Sequence, residues 1–220
     1  MDDASRRWCL VLPVKRLALA KTRLGAPYAG LREELALAFA LDTSAAALAS
    51  PLVASVHVVT DDARAADALA ELGVAVCGDD PDDGLNAALQ HGAAQAAAAR
   101  PGAAVGTLAA DLPALRPSEL TAALRTAALH DRGFVRDAHG TGTTLLLARV
   151  PGDLRPMFGP GSAARHEASG AHELAGQTLS SLRRDVDTAD DLDLALRLGV
   201  GPRTRRLLHE HGLGRAPRAG

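Results

Sequence analysis

The stretch Trp8-Cys-Leu-Val-Leu-Pro-Val-Lys15 decides the fold, because it joins a short apolar run to a cationic loop. The run Trp8–Val14 predicts a buried β-strand, and Lys15–Pro27 is predicted to be the loop that follows it. Among 24 basic residues only two are lysines, Lys15 and Lys21, and both lie in this loop with Arg16 and Arg23. A lysine ammonium is a compact point charge that suits a phosphate oxygen, so the loop is predicted to bind phosphate.

Strand and helix patterns alternate from this first strand as far as residue 130. The predicted strands after the first are Val53–Thr60, Val74–Cys77 and Ala103–Ala109. The predicted helices are Leu31–Leu48, Ala63–Leu72, Gly84–Ala99 and Ser118–His130. This alternation is typical of βαβ units, and it predicts a parallel sheet with helices on its faces.

The pattern changes beyond residue 130, where strand-like segments follow one another more closely. The predicted strands are Gly133–Arg136, Thr143–Val150 and Leu182–Val186. Helices are predicted at Ala163–Ala168 and at Ala189–Leu198, the second opened by Thr188 with Asp191 as a capping box. We therefore expect an α/β fold with a mostly parallel mixed sheet in a single domain over residues 1–212, and a disordered tail over 213–220.

Composition excludes several classes of protein. The chain has 220 residues, 47% of them hydrophobic, and a net charge of −2, which argues against a nucleic-acid-binding or disordered protein. The core must be aliphatic, because aromatic residues make up only 2%. No apolar run is long enough to cross a membrane, and no secretory pattern opens the chain. Two cysteines in apolar runs, Cys9 and Cys77, fit a reduced cytoplasmic protein.

The strand map indicates where a ligand binds, because open parallel sheets bind ligands beyond the carboxyl ends of their strands. The first strand ends at the loop with Lys15 and Lys21, and the fourth ends at Asp111. Cations for phosphates and a carboxylate for a divalent metal are what phosphoryl or nucleotidyl transfer requires. Asp111 also fits a turn or helix cap before Pro113. Neither a P-loop nor a dinucleotide-binding glycine motif is present.

A second acidic cluster occupies residues 185–191. Asp185 and Asp187 are two positions apart at a predicted strand end, so we expect them on one face, where they can share a metal with Asp111. Asp190 and Asp191 fit the first turn of the following helix. Asp187 can also be interpreted as an acidic residue of this first helical turn.

Two segments in the second half combine small residues with hydroxyl groups. Gly140-Thr-Gly-Thr-Thr144 opens a strand, and Phe158–His166 resembles a loop that leads into a helix N-terminus, where free N–H groups attract anions. Each is also compatible with an ordinary tight turn. Together with the lysine loop and the acidic residues, they predict two phosphate-bearing substrates.

These motifs resemble, in order and spacing, the guanylyltransferases that build the side chain of coenzyme F-420 from 2-phospho-L-lactate or phosphoenolpyruvate. The resemblance covers roughly residues 8–200. It rests on six segments: Leu12–Leu24, Asp83–Leu89, Asp111–Pro113, Gly140–Thr144, Phe158–His166 and Asp185–Thr188. Molybdenum-cofactor guanylyltransferases share much of the nucleotide-side pattern, and the Gly140 and Phe158 segments favour the F-420 family.

The resemblance implies a single nucleotidyltransferase-type, Rossmann-like domain, with residues 8–130 forming a nucleotide half and residues 131–200 an acceptor half. It implies transfer of GMP from GTP to the acceptor's phosphate, with release of pyrophosphate. The Ala- and Arg-rich composition suggests a high-GC, actinobacterial source, and for such a source the resemblance implies phosphoenolpyruvate as the acceptor. Another nucleotidyltransferase, or a non-catalytic nucleotide-binding regulator, is the alternative. The oligomeric state stays open, a homodimer included.

The resemblance also assigns roles to residues. It implies that Mg²⁺ is held by Asp111, Asp185 and Asp187. Catalysis is assigned to Lys15, Lys21 and Asp111, and the acceptor to Thr144, Gly159 and Ser162. The nucleotide is assigned to Lys15, Lys21, Arg23, Gly84 and Asn86.

Overall fold

The protein is described by a computed structural model that covers residues 7–78, 83–175 and 179–213. Seven strands form one sheet in the order β3-β2-β1-β4-β6-β5-β7. Their bounds are β1 Trp8–Pro13, β2 Val53–Val59, β3 Ala75–Cys77, β4 Ala104–Leu108, β5 Arg132–Arg136, β6 Thr143–Ala148 and β7 His172–Glu173. The strands from both predicted halves therefore join in one sheet, and the predicted α/β fold with a mixed, mostly parallel sheet is confirmed.

Strand β1 lies at the centre of the sheet because it is apolar on both faces. It pairs in parallel with β2 on one side and β4 on the other. Leu10 and Leu12 pack into the core on one face of the sheet, and Cys9 and Val11 pack into the core on the opposite face. A continuous apolar run is what a strand buried on both faces requires, so the first strand predicted from the sequence is placed where its composition demands.

Seven helices accompany the sheet within the described ranges. They are α1 Arg32–Leu48, α2 Ala63–Ala70, α3 Leu85–Ala99, α4 Pro117–Ala127, α5 Ser162–Ala168, α6 Ala189–Leu198 and α7 Pro202–Glu210. Helix α3 packs very close to the sheet at Gly92, where a Cβ atom would lie 2.7 Å from side-chain atoms of Val11 and Val59. Asp62 and Thr188 cap α2 and α6 through their side chains, and the capping box of Thr188 and Asp191 is confirmed.

The second half adds the antiparallel part of the sheet. Strand β6 runs antiparallel to both β4 and β5, and β5 pairs in parallel with the two-residue β7. Strand β6 is buried along its whole length, which explains why its apolar pattern was readable. The very short β7 was not predicted, because two residues carry no periodicity.

The prediction of a strand over residues 182–186 is wrong. The N–H of Val186 donates to the carbonyl of Asp111, whereas the carbonyl of Arg183 accepts from Ala138. These two bonds reach two different segments, so no ladder forms. Leu182 and Val186 are buried in two different hydrophobic clusters. Their burial gave the segment an apolar pattern that a strand also has.

Two other segments also depart from the expected pattern, and a third lies almost wholly outside the described residues. The loop after β1 is built from the 3₁₀ turns Leu17–Leu19, Thr22–Leu24 and Ala26–Leu31. Helix α7 was not anticipated, although Pro202 stands in its first turn, where proline is favoured. In the predicted tail over 213–220, residues 214–220 lie outside the described part of the chain.

Of the described helices, none combines the length and apolar character needed to cross a bilayer.

Candidate functional site

An open cleft of about 880 Å³ lies where the chain leaves the carboxyl ends of β1 and β4. Residues from both predicted halves line this cleft. The first half contributes Lys15, Lys21, Arg23 and Asp111, and the second contributes Thr143, Gly159, Ser162, Asp185 and Asp187. The structure thus brings the cationic loop, the acidic residues and the Gly159–Ser162 segment to one cavity, as ligand binding beyond strand ends requires.

Lys21 lies between two acidic side chains on the floor of the charged part of the cleft. Its Nζ is 2.5 Å from Oδ2 of Asp111 and 3.2 Å from Oδ1 of Asp187. Its side chain is only 10% exposed, and its backbone has a left-handed φ of 53°. Burial lowers the pKa of Lys21, but the charges of Asp111 and Asp187 outweigh burial and raise it. Lys21 is therefore a fixed cation in the cleft.

Asp187 also pairs with the Arg23 guanidinium group. Burial of Asp187 works against its charged form, but the nearby Lys21 and Arg23 outweigh this and lower its pKa. Both cations belong to the same loop after β1, and both reach across to a residue more than 160 positions later in the chain. The ion pairs therefore tie the loop after β1 to the acidic segment.

Asp111 and Asp187 are paired with cations, whereas no salt bridge joins Asp185 to a cation in the part of the chain that the structure describes. The Oδ1 of Asp185 is buried and finds no hydrogen-bond partner among the described residues. Burial, followed by the charges of Asp111, Asp137 and Asp187, raises its pKa to about 7. The bond from Val186 N–H to the Asp111 carbonyl holds the acidic segment against the end of β4. The three acids predicted to share a metal are thus brought to one cleft.

A divalent cation fits this acidic set on chemical grounds. Carboxylate oxygens are the ligands that hard divalent cations take. The Oδ1 of Asp185 is buried and has no hydrogen-bond partner among the described residues, so a bound cation would satisfy it. Within residues 7–78, 83–175 and 179–213, however, no three acidic, histidine or cysteine side chains converge as a ready-made metal site. The Lys21 ammonium group lies between Asp111 and Asp187 instead.

The Gly140–Thr144 segment is held by Asp137, a residue that the sequence analysis did not select. Its carboxylate accepts hydrogen bonds from Thr141 N–H at 2.9 Å and Gly142 N–H at 2.8 Å. The Thr141 carbonyl then accepts from Ala163 N–H in α5. Asp137 therefore shapes the turn and fixes it against the second small-residue loop.

The loop before α5 is organised by Arg165. Its guanidinium group donates to the carbonyls of Met157 and Pro160, while Gly159 and Gly161 have left-handed φ values of 117° and 73°. Such values favour glycine. The resulting turn places Gly159 and Ser162 in the wall of the cleft.

Two of the N–H groups at the N-terminus of α5, where the sequence predicts an anion site, already have backbone partners. The N–H of Ser162 donates to the Gly159 carbonyl, and that of Ala163 donates to the Thr141 carbonyl. The helix is also only seven residues long. Ser162 lines the cleft, so this segment also offers a hydroxyl group there.

Three residues selected from the sequence do not line the cleft: Gly84, Asn86 and Thr144. Asn86 bonds through its side chain to the backbone of Phe158, accepting from N–H at 2.7 Å and donating to the carbonyl at 3.3 Å. It joins α3 to the loop before α5. Thr144 is 1% exposed, with a buried Oγ1 that finds no partner among the described residues.

Thr143 lines the cleft where the sequence analysis had selected Thr144. Consecutive residues of a strand point to opposite faces, so a choice between adjacent threonines depends on register. Thr143 Oγ1 is 2.9 Å from Nδ1 of His166 and 3.3 Å from Oγ of Ser162. Thr143 and His166 both lie in segments selected from the sequence, but neither was assigned a role, because a pairing across 23 positions leaves no local signal.

His166 is fully buried and uncharged. Its Nε2 faces the N–H of Met157 at 3.0 Å. Burial, together with the charges of Arg132 and Arg165, lowers its pKa to about 4. Because a backbone N–H can only donate, Nε2 must be the acceptor, and the ring proton resides on Nδ1.

We expect the buried His166 to make stability depend on pH. Unfolded His166, with a pKa near 6.5, takes up a proton below that value, whereas the folded form resists it down to about 4. Stability is therefore lost as the pH falls through this window. From pH 8 to pH 5, wild-type chain should lose about 2 kcal/mol of unfolding free energy relative to His166→Phe. Urea unfolding of both proteins at the two pH values measures this, and a pH-independent difference would contradict it.

Comparison with known proteins places this site in a family. Residues 8–219 match the family model described as "Guanylyl transferase CofC like". The chain belongs to the CofC-like guanylyl transferase family. Two phosphoenolpyruvate guanylyltransferases are similar to it over most of their length. That of Thermomonospora curvata is 59% identical, covering 93% of this chain and 90% of the relative. That of Streptomyces coelicolor is 58% identical, with 90% and 94% covered. The predicted CofC-like family and nucleotidyltransferase activity are confirmed.

Solved structures that resemble this CofC-like chain share its fold at low sequence identity. A 4-diphosphocytidyl-2C-methyl-D-erythritol synthase superposes with a TM-score of 0.60 at 12% identity, covering 88% of this chain and 99% of the other. Rv0371C of Mycobacterium tuberculosis, solved in complex with manganese, has a TM-score of 0.52 at 21% identity, with 87% and 98% covered. These likenesses support the nucleotidyltransferase fold.

Proposed function

We propose that this chain transfers the GMP unit of GTP to the phosphate of phosphoenolpyruvate and releases pyrophosphate, as a step of coenzyme F-420 biosynthesis. The observation that carries the proposal is one cleft that joins the Lys21–Asp111–Asp187 cluster to the Gly159–Ser162 loop. Relatives named as phosphoenolpyruvate guanylyltransferases, 58–59% identical over at least 90% of this chain, support the acceptor. The free thiols of Cys9 and Cys77 suit a reducing cytoplasm.

The charged end of the cleft receives the nucleotide's phosphates. An oxygen of the acceptor's phosphate attacks the α-phosphorus of GTP, and the bond to pyrophosphate breaks. The attacking oxygen is already ionised, so no side chain has to remove a proton. Lys15, Lys21 and Arg23 line this part of the cleft, and their positive charges stabilise the triphosphate and the leaving pyrophosphate.

A divalent cation, Mg²⁺ in the cell, would be held by Asp111, Asp185 and Asp187. When bound, it supplies positive charge that neutralises two phosphate groups brought into contact. The manganese complex of the similarly folded Rv0371C supports a divalent ion in this fold. Lys21, which contacts Asp111 and Asp187, holds these carboxylates in place.

The acceptor's carboxylate is bound at the other end of the cleft by the hydrogen-bonded hydroxyl pair of Thr143 and Ser162. Both residues line the cleft and are largely buried, so a hydrogen bond from them to a carboxylate is shielded from water. Gly159 contributes backbone at the same wall. Thr143 takes the place we predicted for Thr144, and Gly84 and Asn86 act on the nucleotide only through the loops they shape.

We expect Ser162→Ala to raise the Michaelis constant for the acceptor selectively. Ser162→Ala breaks the hydroxyl pair with Thr143, and losing one hydrogen bond that supports binding of a charged group costs about 1–2 kcal/mol, a roughly tenfold rise. The Michaelis constant for GTP should change little, because the partner of Ser162 is Thr143, which belongs to the proposed acceptor wall. Steady-state kinetics with each substrate varied in turn measure both constants. A larger effect on GTP than on the acceptor would reverse the assignment.

One assay tests the proposed function. The purified chain is given GTP or ATP, Mg²⁺, and either phosphoenolpyruvate or 2-phospho-L-lactate, and released pyrophosphate is measured. We expect turnover with GTP and a clear preference for phosphoenolpyruvate. Preference for 2-phospho-L-lactate would overturn the acceptor, and no pyrophosphate with either acceptor would overturn the function.

A further inference from the structure

A buried hydrogen-bonded chain lies behind the acceptor end of the cleft. It runs from the Met157 N–H to Nε2 of His166, from Nδ1 of His166 to Oγ1 of Thr143, and on to Oγ of Ser162. Thr143 and Ser162 line the cleft, whereas His166 does not. His166 therefore cannot touch a ligand there and acts only through the two hydroxyls.

The direction of each hydrogen bond follows from the Met157 N–H. Because that group must donate, Nε2 of His166 accepts, and the Nδ1 proton is donated to Oγ1 of Thr143. The Ser162 hydroxyl donates to the same Oγ1 of Thr143 at 3.3 Å. Of the two hydroxyl hydrogens, that of Ser162 is used in this bond and that of Thr143 is left over.

We propose that His166 is a positioning residue, which donates to Thr143 from behind and so leaves one hydroxyl hydrogen of the Thr143–Ser162 pair for a carboxylate oxygen of the acceptor in the cleft. This rests on the proposed function. If His166 presented an acceptor to Thr143 instead, the Thr143 hydrogen would turn away from the cleft. The tautomer of one buried ring thus decides whether this wall donates to an anion.

Two substitutions at position 166 separate this role from simple packing. His166→Phe keeps a planar ring beside Phe134 and Phe158, which contact His166, but it removes the donor. His166→Asn places an amide N–H near the position of Nδ1 and keeps the donor while reducing the ring. We expect His166→Phe to raise the acceptor's Michaelis constant about tenfold. The Michaelis constant for GTP should stay within about twofold, and His166→Asn should recover most of the acceptor affinity.

Thr143 provides an independent pair of variants if His166→Phe does not fold. Thr143→Val removes the hydroxyl at nearly constant shape and should reproduce the tenfold effect, whereas Thr143→Ser should remain near wild type. His209→Phe, a substitution at an exposed residue of α7, is the matched control and should leave both Michaelis constants unchanged. Thermal unfolding of every variant checks the fold.

Nitrogen-15 NMR of the histidine rings in the full chain tests the tautomer without any substrate. We expect His166 to be neutral, with its proton on Nδ1. A proton on Nε2 would overturn the proposal, as would equal acceptor affinity in wild type and His166→Phe. Equal losses for GTP and acceptor, without recovery in His166→Asn, would also overturn it. Absence of any turnover by wild type, with the tautomer as expected, would instead refute the proposed function on which the role depends.

Discussion

Replacement of Asp111 by asparagine is expected to reduce turnover at least about a hundredfold, the scale of losing one strong electrostatic contact. Asp111 lies just after β4, and its Oδ2 is 2.5 Å from the Lys21 ammonium group. A carboxamide has the same shape but no charge, so it neither balances Lys21 nor binds a divalent cation strongly. Steady-state pyrophosphate release at saturating GTP, acceptor and Mg²⁺ measures the loss.

The fold should survive the Asp111→Asn change. The backbone carbonyl of Asp111, which accepts from Val186 N–H, is not altered, so the acidic segment stays attached to β4. Asp131→Asn is the matched control, since its side chain is 98% exposed and precedes β5 at the opposite end of the sheet. Near-wild-type turnover of Asp111→Asn would remove Asp111 from the proposed mechanism.

Replacement of Lys21 by methionine is expected to reduce turnover about a hundredfold, with weaker GTP binding and little change in acceptor affinity. Methionine approximates the length of lysine but has no charge, so the triphosphate loses its most buried cation. Kinetics with GTP and acceptor varied separately measure the split. An increase confined to the acceptor's Michaelis constant would contradict the assignment of Lys21 to GTP.

The same variant should bind Mn²⁺ more tightly when no nucleotide is present, by at least about tenfold, because a like charge no longer competes at the carboxylates. Asp111 and Asp187 both contact Lys21. Electron paramagnetic resonance of free Mn²⁺ measures this affinity without requiring activity. Arg206→Met, which removes an exposed cation from α7, is the control, and unchanged Mn²⁺ affinity in Lys21→Met would contradict the expectation.

Local chemistry made most of the fold predictable. Strand β1 can be predicted from the sequence because all of its residues are apolar or proline. Helices α1, α3 and α6 have helical sequence patterns with clear ends. The loops after β1 and β4 followed from that strand map, and they led to Lys15, Lys21 and Asp111, which all line the cleft. The strand predicted over residues 182–186 is wrong because residues buried in separate hydrophobic clusters give the same apolar sequence pattern as a strand.

The residues of the proposed acceptor wall were harder to predict from the sequence. Thr143 and Thr144 are chemically identical neighbours, and only the register of β6 against β4 decides which one reaches the cleft. Asp137 and His166 act through bonds to loops whose position depends on the whole second half. No local spacing identifies such partners.

The sequence by itself determined the alternation of strands and helices, the supply of cations and acids at strand ends, and the family resemblance. Each of these depends on the order of residues along short segments, which folding does not change. Tertiary structure alone decided that Lys21 lies between Asp111 and Asp187, that Asp185 has an unpartnered buried oxygen, and that His166 presents a donor to Thr143. These contacts join residues far apart in the chain, so they exist only once the sheet has brought its strand ends and loops together.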